Sequence, residues 1–193
     1  MSPKTIPTDL PFHVFSLEAD RDYLLARMIS FAGGGFHSRA GFLGQQACEK
    51  YMKAFLVQES KSFVQTHKLL KLAEHCSRFN SYFVQDEARN ALRNFDRFEQ
   101  VGRYGAHANF DPLARQRQEV EIAGVMVWSE DYLRDLDAFV FRARGLLDYA
   151  SVAFDDSLKS ILQGNTRSIL VGTWTGTPPL FDVLTRKNCH FRD

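Results

Sequence analysis

Between Ser38 and Gln58, the residues Leu43, Ala47, Cys48, Tyr51, Met52, Phe55 and Leu56 follow one another at steps of one, three and four. That spacing is the period of a helix and of no strand, and it predicts a helix over 38–58 that is apolar around most of its girth. One narrow polar strip interrupts it. Gln45, Gln46, Glu49, Lys50 and Lys53 are spaced by one, three and four and so share a face. A helix this apolar belongs at the centre of a bundle, and its polar strip is expected to face water or a partner. The rest of the chain must supply the helices that surround it.

Those helices are legible on both sides. Residues 1–16 hold Pro3, Pro7 and Pro11 without a helical period, which predicts an extended lead-in. From Ser16 as N-cap, Tyr23, Leu24, Met28 and Phe31 predict a helix that stops at Gly33-Gly34-Gly35. The triple glycine lacks the Lys-Ser/Thr ending and the preceding strand of a phosphate-binding loop, so it reads as a helix break. Thr66 is placed to cap a third helix carrying Leu69, Leu72, Ala73 and Cys76. Val84, Ala88, Ala91, Leu92, Phe95 and Phe98 predict a fourth over 81–101. Leu133, Leu136, Phe139, Val140, Ala143, Leu146, Leu147 and Ala150 predict a last one over 129–150. Between these two the period breaks. Residues 120–128 alternate or run apolar around Ala123-Gly124, which is compatible with a short β-hairpin. The expectation is an all-α, up-and-down bundle of four or five helices over 17–150, with an irregular extension over 151–193 that packs on it.

A chain of 193 residues with 45% hydrophobic and 24% charged residues suits one soluble domain with one core. The net charge of +1 excludes a global field that would steer polyanions, so any nucleic-acid binding must use a local patch. Cys48, Cys76 and Cys189 are odd in number and irregular in spacing, and they read as reduced thiols. With no long apolar run and no basic-then-apolar start, the expectation is a cytoplasmic protein without membrane contact. His67 and His75 have no Cys or carboxylate at ligand spacing beside them in sequence, so neither a metal nor a cofactor is expected.

Two basic features remain. Arg89, Arg93 and Arg97 line one face of the fourth helix at steps of four. Glu87, Asp96 and Glu99 are interleaved with them, and a solvated, salt-bridged face accounts for the pattern. Downstream, Arg103-Tyr104-Gly105-Ala106-His107 places a guanidinium and an imidazole on one face if the segment is helical. RNA can be cut without metal when a base removes the 2′-hydroxyl proton and a cation stabilises the charge gathering at phosphorus. His107 suits the first role and Arg103 the second. The same residues could instead bind RNA or a nucleotide without turnover, or simply hydrogen-bond helix-end carbonyls.

The run Gln45-Gln46-Ala47-x-Glu49-Lys50-x-x-Lys53, the pair Thr66-His67 opening a helix, and Arg103-Tyr104 occur in an order that resembles the HEPN (higher eukaryotes and prokaryotes nucleotide-binding) family. The resemblance covers roughly residues 17–150 and implies an up-and-down bundle of HEPN type that dimerises. It also implies one of three roles: a metal-independent ribonuclease, a nucleotide- or RNA-binding module, or one half of a toxin–antitoxin pair with a nucleotidyltransferase. Catalytic members carry a longer spacer between Arg and His than the three residues Tyr104, Gly105 and Ala106 found here, with a small polar residue after the Arg. The resemblance therefore favours binding over cleavage. Arg103 and His107 are the candidate reactive pair, with Tyr104, Asn109, Arg97 and Arg93 as candidate ligand contacts. Gln46 and Lys50 are candidates for a partner interface.

Overall fold

The computed structural model of the chain describes residues 5–32, 37–99, 130–148, 184 and 186–190. In these residues the order is β1 (Thr5–Pro7), α1 (Phe12–Ala32), α2 (His37–Ser60), β2 (Ser62–Val64), α3 (Leu69–Cys76), a 3-10 turn (Ser81–Val84), α4 (Asp86–Asp96) and α5 (Glu130–Gly145). The bundle is mainly helical, and α2 is its axis, touching α1, α3, α4 and α5. The period read from the sequence explains why. Ala47, Cys48, Tyr51, Met52 and Leu56 are all buried, and they meet Leu72, Leu92, Phe95, Leu136 and Phe139 from the surrounding helices in one core.

The helix boundaries differ from those the sequence predicts, for local reasons. Helix α1 begins at Phe12, four residues before Ser16, because all three prolines precede its first residue. The Ser16 hydroxyl donates back to the His13 carbonyl at 3.1 Å instead of capping. Helix α3 begins at Leu69. Thr66 accepts from the Lys68 amide at 3.2 Å, and the Leu69 amide is satisfied by Asp96 Oδ1 of α4 at 3.0 Å. The expected fourth helix is divided by the extended Gln85, so that a 3-10 turn capped by Asn80 precedes α4.

A two-stranded sheet was not expected. β1 and β2 pair antiparallel with Thr5 opposite Val64 and Pro7 opposite Ser62. Since β1 leads into α1 and β2 leaves α2, this clip ties the open end of an antiparallel α1–α2 hairpin. Lys61 makes the reversal possible with a left-handed φ of 51°, its amide returning to the Val57 carbonyl at 3.0 Å and its carbonyl accepting from Thr8 at 3.0 Å. Within the 151–193 extension, Leu184 joins the core and Asn188 is buried. The hairpin expected at 120–128 lies outside the described residues.

Two glycines of α2 set how closely its neighbours approach. A Cβ at Gly41 would overlap the Phe98 ring, and one at Gly44 would overlap the Tyr132 hydroxyl. Glycine is required here by proximity, not by backbone conformation.

Candidate nucleic-acid interface and the polar network beside it

The polar strip of α2, expected to face water or a partner, is covered by the chain itself at two of its five residues. Gln45 is fully buried and Glu49 nearly so, because the segment leading from β2 into α3 lies over them. Gln45 Nε2 donates to the His67 carbonyl at 3.1 Å and to Glu49 Oε2 at 3.2 Å. Gln46 Nε2 donates to Gln45 Oε1 at 2.7 Å. Glu49 is the hub: Lys53 Nζ reaches its Oε1 at 2.7 Å, and His67 Nδ1 stands 3.0 and 3.2 Å from its two oxygens. The network thus joins the Gln-Gln-x-x-Glu-x-x-x-Lys run to the Thr-His pair, two stretches that the sequence presents separately. What the sequence spacing could not show is the contact of His67 with Glu49, 18 residues apart.

Gln46 and Lys50 are both half-buried and bonded within the chain. Gln46 bonds Gln45, and Lys50 pairs with Asp22 of α1. Burial pushes the Asp22 carboxyl up, against the pull of Lys50.

A second set of buried charges crosses the bundle. Arg27 is fully buried and pairs with Asp137 of α5, while its Nη2 donates to the Arg186 carbonyl at 2.5 Å. The Tyr23 hydroxyl donates to Asp137 at 2.6 Å and accepts from Asn188 Nδ2 at 2.9 Å. Asp20 accepts from the Tyr51 hydroxyl and from Arg144 Nε, the latter at 3.1 Å. Burial raises the Asp137 carboxyl, with Arg27 opposing it, and holds both Tyr23 and Tyr51 protonated. These groups fasten α1, α2, α5 and the C-terminal segment; they are too enclosed to meet a ligand.

The α4 arginines differ from the salt-bridged face that their sequence suggests. Arg89, Arg93 and Arg97 are exposed. Two of the interleaved acids are engaged elsewhere: Asp96 caps Leu69, and Glu99 Oε2 holds Lys68 Nζ at 2.7 Å, which raises the pKa of Lys68. Arg93 donates to Asn90 at 2.9 Å, and among the described residues no carboxylate forms an ion pair with any of the three. The row thus leaves three guanidinium forks open to water, each with N–H donors arranged in a plane. Between the 3-10 turn, α4 and α5 lies a small cavity of about 190 Å³, lined by Tyr82, Glu87, Asn90, Asp135 and Phe139 among others. Arg103, Tyr104, His107 and Asn109 lie outside the described residues.

The helical bundle and its motif-bearing central helix define the class. The family model of the HEPN domain matches residues 18–124, and the chain belongs to that family. At the family level this makes it a nucleotide- or RNA-related module. No curated protein and no solved structure gives a significant match. No helix among the described residues is long and apolar enough to cross a membrane.

Proposed function

We propose that the protein is a binding module that engages RNA or a nucleotide without turnover, through the outer face of α4 and the Arg103–His107 segment that follows it. The observation that carries this reading is the row Arg89, Arg93 and Arg97, exposed and without carboxylate partners among the described residues. Unpaired arginines can release counterions from a polyanion, whereas paired ones are already neutralised. Arg103, Tyr104, His107 and Asn109 extend the surface in this reading, and a cytoplasmic homodimer would double it. Pairing with a nucleotidyltransferase in a toxin–antitoxin system, with Gln46 and Lys50 at the interface, belongs to the same proposal. Since both side chains are bonded inward, such a partner would have to displace those bonds.

The test is fluorescence anisotropy with a labelled single-stranded RNA at several salt concentrations. Binding should weaken steeply with salt, and Arg93→Ala and Arg97→Ala should each reduce the slope of log K against log salt by about 1. Salt-independent binding, or variants indistinguishable from wild type, would exclude this surface. The alternative, a ribonuclease using His107 as base and Arg103 as stabiliser, predicts RNA fragmentation that His107→Ala abolishes.

A further inference from the structure

We infer that His67 is a proton-controlled phosphate contact, one that makes RNA binding at the α4 surface tighten as pH falls. The inference rests on the reading of that surface given above. Its own observation is the geometry of the Glu49–His67 pair. Glu49 has a side chain only 5% exposed and is anchored by Lys53, Gln45 and Gln46, whereas the imidazole it holds is 46% exposed. Nδ1 faces both carboxylate oxygens at 3.0 and 3.2 Å. A carboxylate offers only acceptors, so Nδ1 carries the hydrogen. The other nitrogen, Nε2, is then a bare lone pair when the ring is neutral and an N–H donor when it is protonated. Toward a phosphate oxygen the first repels and the second binds.

The location fits the ligand. The backbone next to His67 is fastened to the end of α4 by the Asp96–Leu69 bond and the Glu99–Lys68 pair, so this segment runs beside the end of the helix that carries the arginine row. The charged groups around it are matched: Glu49 with Lys53 from α2, Lys50 with Asp22 across α2 and α1, and Lys68 with Glu99 from its own segment and the end of α4. Asp96 is committed to the Leu69 amide. These groups are three cations and four carboxylates, so protonation of His67 takes the cluster from one net negative charge to none.

The experiment measures anisotropy of a labelled single-stranded RNA in a series of buffers between about pH 5.5 and pH 8. Wild type should bind about tenfold tighter at the acid end, the size of one charge-assisted contact. His67→Gln should hold the weaker affinity throughout, and His67→Lys the tighter one throughout. Circular dichroism confirms that each variant is folded, and His67→Lys serves if His67→Gln is not. A pH response equal in wild type and His67→Gln, or absent from a wild type that still binds, would overturn the role of His67 and leave the α4 surface standing. Absence of RNA binding at every pH and at low salt would overturn both.

Discussion

The Tyr132 hydroxyl of α5 occupies the space that a side chain at Gly44 of α2 would need, and from there it donates to the Ala40 carbonyl at 3.2 Å. Gly44→Ala therefore has to push the phenol out and break that bond. The cost of overpacking, roughly 1–3 kcal/mol, outweighs the gain of about 1 kcal/mol from replacing a mid-helix glycine. Urea unfolding should show a net loss for Gly44→Ala and for Gly41→Ala, which meets Phe98 in the same way. Gly145→Ala, with nothing within 4 Å of the added carbon, is expected to be neutral or stabilising.

Arg27 and Asp137 are both nearly inaccessible and neutralise each other across α1 and α5. Removing one partner strands the other charge in the core, so Asp137→Ala should cost roughly 3–5 kcal/mol. Replacing both, as Arg27→Met with Asp137→Leu, should recover most of that loss. A double variant as unstable as the single one in urea titrations would mean that Tyr23 and Asn188, not the ion pair, dominate the site.

The helix periodicity made the bundle legible because apolar spacing is a local property. The Arg27–Asp137 pair was not legible, since residue 137 stands between core positions and its partner is 110 residues away. The β1–β2 clip escaped notice for a similar reason: its strands are three residues long, too short to show alternation, and they are joined only through the α1–α2 hairpin. The acids among the α4 arginines look like their partners in sequence. Asp96 and Glu99 instead turn to α3, a choice made by tertiary packing. Of the candidate site, the motif residues Glu49 and His67 were visible one by one, but their contact was not.

Cys48 and Cys76 are buried and Cys189 is exposed. Burial also raises both buried thiols, which suppresses the reactive thiolate. Alkylation of the native protein followed by mass spectrometry should modify Cys189 alone, with Cys48 and Cys76 reacting after denaturation. Rapid native labelling of Cys48 would show that α2 is not enclosed as described.

Asp135 stands on α5 beside the cavity that Glu87 also lines. Burial raises its carboxyl above the ordinary 3.8; Arg134 opposes this, and Asp131 and Glu87 add to it. The folded state thus holds this proton more tightly than the unfolded chain does. The group's contribution to stability is whole below the unfolded value and is lost as pH rises through the raised folded value. Asp135→Asn cannot suffer that loss while keeping an oxygen for Arg134, which reaches Asp135 Oδ1 at 3.4 Å. The variant should have a higher Tm than wild type near neutral pH, and the difference should close as pH falls below about 4. A wild type as stable as the variant at neutral pH would mean that Arg134 offsets the burial of the charge in full.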